Sequence, residues 1–102
     1  MCTTPAPTAH HPAPLFSLGQ IVATPGALDL LDRTGRNGMD LVQRHQHGDW
    51  GSVPPDDAEA NTYSISNGSR ILSSYYLNDT ERLWIITEAD RSATTLLLPS
   101  DY

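Results

Sequence analysis

The apolar positions change rhythm about halfway along the chain. In the first half they recur at helical spacing. Leu28, Leu30 and Leu31 lie between Thr24-Pro25 and Gly35. That arrangement gives an N-cap, a proline at the first helical position and a glycine to end the helix. A second helix is predicted from Asn37 to Gly48, with Met39, Leu41 and Val42 on its apolar side. Pro54-Pro55-Asp56-Asp57 starts a third, whose acids suit the positive helix end. Its interior carries Asn61, Thr62, Ser64 and Ser66, which are poor helix formers. Before the first helix, Ile21 and Val22 read as a short strand.

In the second half the period shortens to two. Arg70 to Leu77, Arg82 to Glu88 and Ala93 to Pro99 are three strand-like runs separated by short polar links. They predict an antiparallel meander. Alternation places Leu83, Ile85 and Thr87 on one face and Trp84, Ile86 and Glu88 on the other. The order predicts an α+β fold, with two or three short helices packed on a small antiparallel sheet. Residues 1–14 hold four of the eight prolines and no bulky apolar residue after Met1. They read as a disordered, proline-rich tail before a single domain over residues 15–102.

Composition narrows the function. Twelve acidic residues face six basic ones, all arginine: Arg33, Arg36, Arg44, Arg70, Arg82 and Arg91. A net charge of −6 without lysine disfavours direct nucleic-acid binding, which wants a basic face. It suits docking on a basic protein, including one that itself binds nucleic acid. Cys2 is the only cysteine, so no intrachain disulfide forms, and a reducing cytoplasmic setting fits. No apolar run approaches the length of a membrane span, and no secretory leader is legible.

Three groups of residues could carry chemistry. His45-Gln46-His47-Gly48-Asp49 brings two histidines and an aspartate together. Residues two apart on a helix point to different sides, so the plain reading is a polar helix end and no metal site is expected. Glu88, Asp90 and Arg91 crowd one hairpin beside Thr94 and Thr95. With Arg70 and His45 they suggest acid–base cleavage of RNA. The plain reading there is a solvated turn with an ion pair. Finally, Trp50, Tyr63, Tyr75, Tyr76, Trp84 and Tyr102 serve either a core or an interface. No phosphate-binding loop, dinucleotide glycine motif or serine nucleophile elbow is present, and no cofactor is expected.

Four stretches of the chain look familiar. They are Gln20-Ile-Val-Ala-Thr-Pro-Gly-Ala-Leu, Gly48-Asp-Trp-Gly and Gly68-Ser-Arg-Ile-Leu-Ser, then Leu83-Trp-Ile-Ile-Thr-Glu-Ala-Asp-Arg-Ser-Ala-Thr-Thr-Leu-Leu-Leu-Pro. Through them the folded part resembles a family of small "plasmid-related" proteins of mobile genetic elements, some carrying an unsupported label of type I restriction subunit M. The resemblance brings no active site with it. It implies the company of mobile elements, where small acidic proteins often counter host defences. The expectation is therefore a non-enzymatic protein-binding accessory protein, of the anti-CRISPR or anti-restriction type. Trp50, Tyr76, Trp84, Glu88, Asp90 and Arg91 are its expected contacts. The alternative is a small metal-independent ribonuclease of toxin type, with His45, Arg70, Glu88 and Arg91 as its catalytic set. Strand edges that pair between chains make a homo-oligomer a further reading.

Overall fold

A computed structural model describes residues 13–102. The tail expected over residues 1–14 lies outside them, apart from Ala13 and Pro14, which carry no helix or strand. The elements run β1 (Gln20–Ala23), α1 (Pro25–Thr34), α2 (Gly38–Gln46), α3 (Pro55–Asn67), β2 (Ile71–Tyr76), β3 (Arg82–Thr87) and β4 (Ala93–Leu97). A 3-10 turn follows at Pro99–Asp101. The class is α+β, with strand order β1-β4-β3-β2.

The helix ends follow local chemistry. Thr24 Oγ1 accepts from the Ala27 N–H, Pro25 opens α1, and Gly35 ends it at φ 67°. Asn37 Oδ1 accepts from the Met39 N–H at the start of α2. In α3 the Thr62, Ser64 and Ser66 hydroxyls donate to the carbonyls of Ala58, Ala60 and Tyr63. Packing against the sheet holds these weak formers in a helix, a common override of propensity.

The sheet departs from the expected meander in one respect. β2, β3 and β4 pair antiparallel as predicted, but β1 joins the outer side of β4 in parallel, with Val22 opposite Thr95. The sheet is therefore mixed. Strand-to-strand pairing across the length of a chain leaves no local mark in sequence.

Helices α1 and α2 cover one face, here called the inner face. Ala27, Leu30, Leu31, Leu41 and Val42 pack there against Leu83, Ile85, Leu96 and Tyr75. Fully burying each large aliphatic side chain contributes about 1.5–3 kcal/mol. Helix α3 lies against β2 and closes a second cluster of Phe16, Trp50 and Ile71 with Val53, Ala58 and Ile65. It also blocks the open edge of β2. The Asn61 amide donates to the Leu72 carbonyl at 2.6 Å, and its oxygen accepts from the Leu72 N–H at 3.1 Å. Further along that edge, Ser74 N–H donates to Trp50 O at 3.0 Å and Ser52 N–H to Ser74 O at 2.7 Å. Gly51 permits this approach: its φ is 74°, and an added Cβ would sit 2.0 Å from the Ser74 carbonyl oxygen. The outer face receives no helix from α1 or α2. The turn at Pro99–Asp101 lies against β3, and Tyr102 follows it.

Candidate functional site

The residues singled out by sequence fall in three places. The first is the interior. His45 is fully buried beneath Phe16 and Trp50, whose rings meet it edge-on at 5.2 and 5.9 Å. Its Nδ1 lies 2.6 Å from Ser73 Oγ and its Nε2 lies 2.9 Å from Thr87 Oγ1. Thr87 Oγ1 is 2.8 Å from Thr94 Oγ1, which donates to the Leu18 carbonyl at 2.8 Å. That carbonyl can only accept, so it sets the direction of the whole relay. Thr94 uses its one hydrogen on Leu18 and must accept from Thr87. Thr87 in turn must accept from an Nε2–H, which leaves Nδ1 to accept from the Ser73 hydroxyl. His45 is thereby fixed as the neutral Nε2–H tautomer. Burial pushes its pKa down to about 4.

This network has no opening to solvent, since Ser73, Thr87 and Thr94 are also fully buried. It orders the core and has no route to a substrate. His47 points elsewhere, with Nδ1 donating to the Gln43 carbonyl at 2.7 Å. Among the described residues, no group of three or more His, Cys, Asp or Glu is placed to hold a metal ion.

The second place is the β3–β4 turn. Arg91 sits at φ 60°, an uncommon conformation for a residue with a side chain. Its guanidinium donates to four carbonyls, those of Ser69, Glu88, Ala89 and Ser64. It also lies over the Phe16 ring at 5.7 Å. The cation thus ties the C-terminal end of α3, which has no basic residue in its last turn, to the turn. Asp90 accepts from the Ser92 N–H at 3.0 Å, and the Ser92 hydroxyl, together with that N–H, holds its carboxyl below the ordinary range. Asp90 therefore builds the turn, as the plain reading expects, but the expected ion pair is absent among the described residues because the Arg91 guanidinium is spent on carbonyls. Glu88 is exposed at the same end of β3.

The catalytic set read as an alternative does not assemble. His45 is inside, Arg91 is committed to carbonyls, and Arg70 donates to the Tyr102 hydroxyl. Trp50, expected as a contact residue, is also corrected. It is buried, stacked against Phe16 at 6.2 Å, and has little surface to offer a partner. Nothing in the local sequence Gly48-Asp49-Trp50-Gly51 distinguishes a core tryptophan from a surface one. Its neighbours Phe16 and His45 decide the matter.

The third place is the outer face, where Tyr76 and Trp84 project together. Register pairs Tyr76 with Arg82 and Ser74 with Trp84. The Arg82 guanidinium lies 5.5 Å from the centre of the exposed Tyr76 ring. Trp84 is half-buried and meets Tyr102 edge-on at 5.9 Å. Arg70 lies over the other part of this cluster, 5.5 Å from the Tyr102 ring centre. The result is one stripe of Tyr76, Arg82, Trp84, Tyr102 and Arg70, with the apolar floor of Ile86 and Leu97 on the same face.

Among the described residues, Arg70 and Arg82 have no carboxylate partner. The ion pairs go instead to Arg33, with Asp29 and Glu81, and to Arg44, with Asp49. The Arg33 pair holds the Glu81 carboxyl below its ordinary range, and Arg44 does the same for Asp49. Sequence reading did not place Arg70, Arg82 or Tyr102 among the contact residues, although Tyr102 stood in the aromatic set weighed for an interface. The alternation that put Trp84 outward would have placed Arg82 beside it. No protein family, curated protein or solved structure matches the chain. No helix among the described residues is long and apolar enough to cross a membrane.

Proposed function

We propose that this chain is a non-enzymatic protein-binding accessory protein of a mobile element, and that its outer sheet face is the contact surface. The observation that carries the reading is the stripe of Tyr76, Arg82, Trp84, Tyr102 and Arg70 on a face that no helix of the inner layer covers. Tyrosine, tryptophan and arginine dominate the energetics of protein interfaces. Here they are held in place before binding by ring and cation contacts, which lowers the ordering cost of association. Arg70 and Arg82 carry positive charge that no carboxylate neutralises within the described fold, so a partner's acidic or carbonyl groups would complete them.

Charge acts at a second range. The net −6 favours approach to a basic partner, while the stripe supplies the short-range contact. A basic protein that handles nucleic acid, such as a CRISPR or restriction component of a host, satisfies both. That assignment rests on the resemblance to mobile-element proteins. Neither the burial of His45 nor the commitments of Arg91 favour the ribonuclease alternative.

The test is affinity purification of the tagged chain from a host lysate, alongside a variant with Tyr76→Ala, Arg82→Ala and Trp84→Ala combined. A stoichiometric partner is expected with the native chain and should be lost with the variant, whose thermal unfolding must stay cooperative. Recovery of no partner would remove the protein-binding reading. An equal yield from both chains would remove the outer face as its surface.

A further inference from the structure

The two edges of the sheet are finished differently. The β2 edge is closed by Asn61 and by the Trp50–Ser52 backbone, as described above. The β1 edge carries no such cover among the described residues. Gln20 N–H donates to Ser92 O at 3.0 Å and Thr24 N–H to Leu96 O at 2.9 Å. Backbone groups alternate along a strand, so Gln20, Val22 and Thr24 turn towards β4, and Ile21 and Ala23 turn outward. The outward positions carry neither proline nor charge, the usual protections of a strand edge.

Apolar side chains collect beside this edge. Ile21, Val22, Leu28 and Met39 are 38, 40, 56 and 49 % exposed. A groove of about 250 Å³ runs between the strand and the helices, lined by Ile21, Ala23, Leu28, Leu31, Met39 and Leu96 among others, with no charged side chain. On a chain of net charge −6 this is an unusual stretch of neutral surface.

We propose that β1 is the contact edge of a two-fold homodimer, in which β1 pairs antiparallel with β1 of a second copy and Val22 lies on the axis. The register follows from which backbone groups are outward. With Val22 opposite itself, Ile21 faces Ala23 of the second copy, and Ala23 faces its Ile21. Both are outward residues, so each pair exchanges two backbone hydrogen bonds, and the Val22 pair falls at the closely spaced position without hydrogen bonds. Ile21 thus meets a small residue, and Val22 packs against its own counterpart. A two-fold axis perpendicular to the sheet keeps both helical layers on one side, so Leu28 and Met39 approach their counterparts across the axis.

Charge selects the occupant. Two copies meeting through an acidic face would repel, whereas the lining of this groove carries no charged side chain. A basic partner would be drawn to the acidic surface rather than to an uncharged groove. The proposed edge lies across the sheet from Tyr76 and does not depend on the function of the outer face.

Light scattering on the eluting full chain, over a wide range of concentration, tests this. The native chain should approach twice its 11.1 kDa mass as concentration rises. Val22→Glu and Val22→Lys should each hold the chain at monomer mass with unchanged circular dichroism. Mixing the two variants should restore the dimer, because the axis sets Glu against Lys. A native chain that stays monomeric throughout overturns the proposal, and so does a dimer indifferent to Val22→Glu. A mixture of folded variants that remains monomeric overturns the register with Val22 on the axis.

Discussion

The two faces of the sheet treat polar groups in opposite ways. On the inner face every buried hydroxyl and ring nitrogen has a partner, in a relay from Ser73 through His45, Thr87 and Thr94 to the Leu18 carbonyl. On the outer face Ser74 Oγ is buried with no hydrogen-bond partner among the described residues, and the nearby arginines stack on rings rather than pair with carboxylates. A satisfied buried network specifies one packing and is costly to disturb. A face with an unmet hydroxyl and charge that no carboxylate neutralises holds less of the fold together and has more to gain from a partner. Stability should therefore be concentrated on the inner face and binding on the outer one.

The sharpest way to break that contrast is His45→Ala. It opens a cavity beneath Phe16 and Trp50 and leaves the Ser73 and Thr87 hydroxyls without their ring partner. Cavity and orphaned groups together should cost about 3 kcal/mol or more. Urea unfolding followed by tryptophan fluorescence reads this directly. A loss below about 1 kcal/mol would mean that the relay does not organise the core.

Acid should disturb the same site without a mutation. The folded-state pKa of His45 is about 4 against an ordinary 6.5. As pH falls, the unfolded chain takes up the proton first, so the stability contributed by the neutral ring is complete above 6.5. It declines from there and is fully lost once pH passes below the folded value. The expected loss is about 2 kcal/mol by pH 5. Glu81, Asp49, Asp90 and Asp101 have lowered values, and their contributions decline only as pH falls through the carboxylate range and below it. The interval between pH 6.5 and 5 therefore reports His45. Urea midpoints at pH 7 and pH 5 should differ in the native chain and much less in a His45→Gln variant.

How much of this is legible in sequence depends on how local each cause is. The ends of α1 and the start of α2 are legible because Thr24, Gly35 and Asn37 act on backbone groups within a few residues. The parity of β3 is legible because alternation is a property of the strand itself. The parallel seat of β1 beside β4 is not, because it depends on a pairing between opposite ends of the domain. His45 reads as a polar helix end until Ser73 and Thr87 are placed opposite it. One signal does point inward: Thr87 shares its face with Leu83 and Ile85, and a polar residue on an apolar face calls for a buried partner. Tyr76 and Trp84 are legible as surface candidates, whereas Trp50 is not separable from them, since burial by Phe16 is a tertiary fact.

The finest test of the two faces is a pair of neighbouring serines. Ser73 and Ser74 are adjacent in β2 and both buried, so they share strand and side-chain size. They differ in the face they address. Ser73→Ala takes the donor from His45 Nδ1 and leaves a ring nitrogen unpaired in the core, at a cost of about 1–3 kcal/mol. Ser74→Ala removes a hydroxyl that already lacks a partner in the described fold, so stability should change by less than about 0.5 kcal/mol or rise slightly. The two substitutions delete the same atom from the same residue type one position apart, so propensity and side-chain entropy largely cancel between them. Equal losses would mean that Ser74 has a partner beyond residues 13–102, or that the relay contributes little. Unequal losses in the stated order would tie the stability of the domain to the directed hydrogen bonds of its inner face.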